Sequence, residues 1–238
     1  FTLAGAMAPV TIAGAVTQSI AEALAAITLL QVISPGCPVA FGSFTSNVDM
    51  KSGAPAFGTP EYMRATQISG QMARYYRLPL RASNACAANC ADAQAAWESA
   101  FSLWSAISAG VNIVYHAAGW LEGGLCASYE KFVMDDELCG MMRHYRKGIE
   151  VGPETLAYDV ITKVGRDGHY LGEPETLKRC RTEFWQPNLS DRSGLEAFWL
   201  DDPQKTTARA KKRWQGLLAE HKDPALDKTI AKQLENYV

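Results

Sequence analysis

His116 and Glu122 fall close together in a glycine-rich stretch that also carries Tyr115 and Trp120. An imidazole and a carboxylate can move protons, so these two are the candidate catalytic groups. Acid–base residues are otherwise sparse where the apolar segments end. Aromatic and small polar side chains are more frequent there: Phe41, Phe44 and Asn47 in one stretch, Ser83 and Asn84 in the next. Phe41, Phe44, Tyr115 and Trp120 would suit a quaternary ammonium group, because each aromatic face attracts a cation by about 0.5–2 kcal/mol. The plainer alternative is that Phe41 and Tyr115 fill a core and His116 is a hydrogen-bonded structural histidine. No G-x-S-x-G turn, G-x-G-x-x-G run or Walker A loop occurs, which removes the usual signals for a serine hydrolase or a nucleotide site. Cys86 and Cys90 have no histidine beside them, so no metal site is expected.

These residues need elements to hold them, and the pattern supplies a repeated unit. Phe1–Gly5 opens the chain as a short apolar run, and a stripe of Val16, Ile20, Leu24, Ile27 and Leu30 follows at helical spacing. Pro38–Phe41, Pro79–Ser83 and Val111–Tyr115 read as further strands. Ser43–Gly58 reads as a long polar loop. Thr59-Pro60-Glu61, Asp92 and Ser128 are helix starts, since their side chains can accept from free amides of the first turn. Strand alternating with helix predicts a parallel sheet. A doubly wound sheet and a (β/α)8 barrel both fit. The loops after the strands are long and those before them short, as in a barrel whose site is built from its βα loops. Four such units end near residue 150. Helices predicted at 153–164, 174–185 and 203–221 then form a tail. The expected fold is therefore α/β, half a (β/α)8 barrel over 1–150 with a helical extension over 151–238.

Composition excludes several classes. The chain is 47% hydrophobic and 20% charged, with a net charge of −2. That is neither a disordered polyelectrolyte nor a nucleic-acid binder. Cysteines without a framework spacing predict free thiols and a cytoplasmic setting. Gln18, Ser19 and Glu22 interrupt the apolar N-terminal stretch, so no membrane span is expected. The chain starts at Phe1 rather than Met, which suggests that a segment upstream is missing. A half barrel would leave strand edges and an inner apolar face open, so a homo-oligomer is expected.

Longer motifs add a resemblance. Gly53-Ala-Pro-Ala-Phe-Gly-Thr-Pro-Glu61, Asp92-Ala-Gln-Ala-Ala-Trp-Glu98, Gly119-Trp-Leu-Glu-Gly-Gly-Leu125 and the run Ser128–Glu137 resemble the trimethylamine methyltransferase family. Gly148–Val151 and Glu154–Ala157 continue it, and the likeness runs over about residues 1–192 in order. The resemblance implies the C-terminal half of a (β/α)8 barrel that moves a methyl group from a methylated amine to the cobalamin of a separate corrinoid protein. It implies no tightly bound cofactor in this chain. Family members that use trimethylamine carry pyrrolysine at a position that falls on Ala85. Its absence points to a quaternary amine such as glycine betaine, whose carboxylate would take donors from Asn47, Asn84 or His116. The competing classes are a non-catalytic barrel fragment acting as a binding or regulatory module, and another barrel enzyme acting on a small polar metabolite.

Overall fold

The computed structural model describes residues 1–42, 44–200, 205–222 and 226–237. Strands and helices alternate from β1 (Thr2–Ala4) and α1 (Ile12–Ile33) to β2 (Phe41–Gly42), β3 (Thr45–Val48) and β4 (Pro55–Ala56). Then come α2 (Pro60–Tyr75), β5 (Leu80–Ser83), α3 (Ala93–Ser108), β6 (Ile113–Tyr115), a hairpin of β7 (Trp120–Leu121) and β8 (Cys126–Ala127), and α4 (Tyr129–Arg146). The architecture is mixed α/β. β1 pairs parallel with β3, and β2, β5 and β6 form a second parallel sheet in that order. Among the described residues the sheets do not close on themselves.

β3 and β4 correct the loop expected at 43–58; Ser43 itself lies outside the described residues. The segment Thr45-Ser46-Asn47-Val48 is polar and hides from a search for apolar alternation. It is a strand because its hydroxyls are satisfied internally: Thr45 Oγ1 lies 2.7 Å from Thr2 Oγ1, and the Ser46 hydroxyl donates to the Ala56 carbonyl. Both residues are fully buried, as buried hydroxyls can be once paired. The expected strand Pro38–Phe41 shrinks to β2. Its pairing starts where the Phe41 amide donates to the Pro79 carbonyl at 2.8 Å, because Pro38 has no N–H to offer a ladder.

Strand alternation divides the side chains between two faces. Leu80 and Ala82 of β5 join Phe41, Ala73, Ala106, Ala109 and Val111 in a core between sheet and helices. Arg81 and Tyr115 turn to the opposite, concave face. Three helices start as the residue types predict: Thr59, Asp92 and Ser128 accept from the amides of Tyr62, Ala95 and Lys131. Each such cap contributes about 1 kcal/mol.

Gln18, Ser19 and Glu22, expected to cut the apolar stretch short of a span, lie inside the 22-residue α1, which stays long and apolar enough overall. By length and composition alone it could cross a membrane. Ile20, Ala23 and Ile27 pack against the sheet core. Leu30, expected on the same stripe, is exposed, as are Leu29, Val32 and Ile33. The last turns of α1 run beyond the sheet they pack on.

The C-terminal part is helical: α5 (Pro153–Leu156), α6 (Tyr158–Val164), α7 (Pro174–Arg179), α8 (Leu195–Leu200), α9 (Thr206–Glu220) and α10 (Lys228–Glu235). The helix expected at 153–164 is broken at Ala157, which has a φ of 49°. The one expected at 174–185 stops at Arg179. Positions 203 and 204, the expected start of the last long helix, lie outside the described residues. α9 folds back on α4: Trp214 Nε1 donates to Glu130 at 3.0 Å, and its ring stacks on Tyr129. The Glu137 carboxylate accepts from the amides of Asn188, Leu189 and Ser190. Those amides outweigh burial and hold its carboxyl below the usual carboxylate range.

Gly58 fixes the approach of the chain to α3. A Cβ there would sit 2.4 Å from the Glu98 Cα, and its φ is +68°. Gly58→Ala is expected to lower stability by about 2–3 kcal/mol, from overpacking and left-handed backbone strain together. Urea titration of the variant checks this.

Candidate active site

β5 and β6 end side by side, with Ser83 opposite Tyr115. The loops that leave them meet over a concavity of about 740 Å³. Asn84, Ala85, Tyr115, His116 and Trp120 line it, with Phe44 on the far wall. The aromatic rings form a row: Tyr115 to His116 at 5.8 Å, and His116 to Trp120 edge-on at 5.2 Å. His116 has a φ of 52°, an uncommon conformation for a residue with a side chain. Desolvation, then the nearby Arg81 charge, hold its imidazole below the usual histidine range. It is therefore a neutral ring at pH 7 and adds no positive charge to the wall.

Asn84 is buried, and its Nδ2 donates to the Ala117 carbonyl at 2.9 Å. Among the described residues its Oδ1 has no hydrogen-bond partner, nor does the neighbouring Ser83 hydroxyl. It is a buried acceptor beside the concavity with hydrogen-bonding capacity left unused. Ala85 is nearly buried beside Phe57 and Tyr62 and adds only a methyl to the floor.

Three candidates lie elsewhere. Phe41 is packed under the helices, because strand alternation sends it to the face away from the concavity. The Asn47 carboxamide accepts from the Thr59 hydroxyl and donates to the Val48 carbonyl, so it braces the start of α2. The Glu122 side chain is exposed at the tip of the β7–β8 hairpin, where the Cys126 thiol donates to it. Its backbone does more: the Glu122 and Gly123 amides donate to the carbonyls of Ala88 and Cys86, tying the hairpin to the loop after β5.

Two carboxylates inside the quoted motifs, not expected as site residues, hold these loops. Glu98 of α3 accepts from the amides of Ala87 and Ala88 at 2.7 and 2.9 Å, and from Gln94. Ser102 donates to the Ala85 carbonyl at 2.7 Å. Asp135 of α4 accepts from the Gly119 amide at 2.9 Å and pairs with Lys131, which also donates to Ser99. Lys131 and Asp135 are both almost wholly buried. Burial pushes the Asp135 carboxyl above the usual carboxylate range, against the pull of the Lys131 ammonium. Burial likewise pushes the Cys86 thiol up to about 12, which leaves it an inert core group. Arg81 was also missed. A charged residue between Leu80 and Ala82 was the available signal, since alternation must aim it away from the core.

Among the described residues no group of three or more histidine, cysteine or acidic side chains is placed to hold a metal ion. The model of the family described as trimethylamine methyltransferase (MTTB) matches residues 1–238. The chain belongs to that family. Its similarity to a glycine betaine methyltransferase of Desulfitobacterium hafniense (strain Y51) is 42% identity over 237 residues, covering 99% of this chain and 49% of that protein. A trimethylamine methyltransferase MttB of Desulfitobacterium hafniense (strain DSM 10664 / DCB-2) is 34% identical, with 99% of this chain and 47% of that protein covered. A proline betaine:corrinoid methyltransferase of Eubacterium limosum is 33% identical, covering 97% of this chain and 48% of that protein. The chain thus spans about half the length of the curated relatives it matches. In this trimethylamine methyltransferase family chain, the concavity brings together aromatic rings, a buried unpaired acceptor and a small floor residue among the described residues.

Proposed function

We propose that this chain is part of a methyltransferase that moves a methyl group from a quaternary amine, glycine betaine or a close analogue, to the Co(I) of a partner corrinoid protein. The observation that carries this is the aromatic-walled concavity with alanine at position 85, where the resemblance places pyrrolysine in trimethylamine enzymes. The relatives named for glycine betaine and proline betaine support the same reading.

The chemistry fits the residues. The cobalt electron pair forms the new bond to the methyl carbon, the carbon–nitrogen bond breaks in line, and its electron pair leaves with nitrogen as a neutral tertiary amine. No proton moves. Tyr115, Trp120 and Phe44 would hold the cation by their ring faces, and neutral His116 would complete the wall. Glu122 shapes the hairpin turn instead of transferring a proton. Positioning of this kind can supply up to about 7–11 kcal/mol of a barrier.

On this reading β1, β2–β3, β5 and β6 are half of a (β/α)8 barrel over 1–150, and 151–238 is its helical extension. Ile113 and Tyr115 on the inner face are each 49% exposed, which supports a covering half or a second copy. Free cysteines support a cytoplasmic setting.

Calorimetry on the protein at its natural length tests the proposal. Glycine betaine is expected to bind more tightly than trimethylamine, which at neutral pH is the trimethylammonium ion and would have its N–H desolvated against apolar walls. Methylcobalamin should form on the corrinoid partner from glycine betaine alone. Tighter binding of trimethylamine, with methyl transfer from it, would overturn the reading.

A further inference from the structure

Arg81 occupies the strand position that points into the concavity, between the core residues Leu80 and Ala82. Its guanidinium lies over the Tyr115 ring, 4.6 Å from the centroid. Among the described residues it forms no ion pair. Glu22 is the carboxylate that shares the concavity, and its side chain accepts from Gln18. Arg81 is therefore a permanent charge with a fork of donors, half-buried at the end of the aromatic row and left without an anion.

That charge sets a condition on any cationic ligand. A simple quaternary cation on Tyr115, His116 and Trp120 would meet a like charge at one end of the row. A zwitterion would place its carboxylate there and its ammonium on the rings, turning the same charge from repulsive to attractive. Arginine also matches a carboxylate with two parallel hydrogen bonds, whereas Asn47 of β3 is engaged with Thr59 at the start of α2. We propose that Arg81 binds the carboxylate of the substrate and so restricts the site to quaternary ammonium carboxylates. This rests on the quaternary amine reading above and names the residue that selects among such amines.

The test compares glycine betaine with tetramethylammonium, which has the cation and no carboxylate, on the protein at its natural length. Wild type is expected to favour glycine betaine. Arg81→Met should weaken glycine betaine on the order of tenfold to a hundredfold, the size of a charged hydrogen-bonded contact. It should leave tetramethylammonium unchanged or tighter, because a like charge has gone. Retained tetramethylammonium binding shows that the variant site is folded; if Arg81→Met does not fold, Arg81→Gln is read in its place. A variant that keeps the wild-type preference overturns the role of Arg81 while the quaternary amine reading stands. Equal weakening of both ligands also overturns it, since Arg81 would then be bracing the site through a carboxylate elsewhere in the protein. A wild type that binds neither ligand overturns both.

Discussion

Lys131→Met is expected to destabilise the protein by about 3–5 kcal/mol, the usual cost of stranding one member of a buried ion pair. Lys131 and Asp135 are one helical turn apart on α4, with side chains 1% and 3% exposed. Removing the ammonium leaves the Asp135 carboxylate buried with neutral donors only, the Gly119 amide and the Ser99 hydroxyl. Its carboxyl, already raised by burial, would rise further. A carboxyl raised in the folded state contributes stability that is present at low pH and lost as pH rises through that folded value. The deficit of the variant should therefore shrink as the solution is acidified from pH 7. Lys131→Met combined with Asp135→Asn should recover most of the loss, because asparagine still accepts from Gly119 and carries no charge. Urea unfolding of the three variants across pH checks both the size and the direction. A single variant as stable as wild type at pH 7 would show that the pair is not what secures this end of the site.

Glu98→Ala should cost both stability and turnover. Each stranded amide, Ala87 and Ala88, carries a penalty of about 1–3 kcal/mol. The loop they belong to forms the floor at Ala85 and the support for the β7–β8 hairpin, so Tyr115, His116 and Trp120 lose their common frame. A misplacement of about 1 Å in a site that works by positioning can cost on the order of a hundredfold in rate. Glu98→Gln keeps an oxygen for the two amides and should restore most of the turnover. Steady-state methyl transfer from glycine betaine by the two variants, beside their unfolding curves, separates the outcomes. If alanine lowers stability with kcat unchanged, Glu98 is a packing residue alone. If glutamine fails to rescue, its charge matters more than its acceptor geometry.

Much of this frame was legible because caps and alternation are local. Thr59, Asp92 and Ser128 each start the helix their side chains predict. The aromatic row at Tyr115, His116 and Trp120 could be read because these residues follow a strand directly. β3 could not, because its burial depends on a hydroxyl partner in β1, far away in the chain. Phe41 was legible as aromatic but not as to its face, since one position of register decides which side of a strand it takes. Glu98 and Asp135 look like ordinary helix-surface acids in sequence; their partners are main-chain amides, which every residue type carries. Arg81 was open to the same alternation argument that placed Leu80 and Ala82.

The grip on the loop after β5 is made on main-chain atoms: the Ala85 carbonyl and the amides of Ala87 and Ala88. Loop shape is thereby uncoupled from side-chain identity. Position 85 lines the concavity while its main chain is held independently of its side chain, so a change there is limited by the packing of Phe57 and Tyr62 and not by the clamp. On the proposed function, a lineage could trade one methyl donor for another through substitutions at the floor, with the clamp kept constant. On the same reading, a library at position 85 restricted to small side chains should keep the fold while changing which amine is accepted.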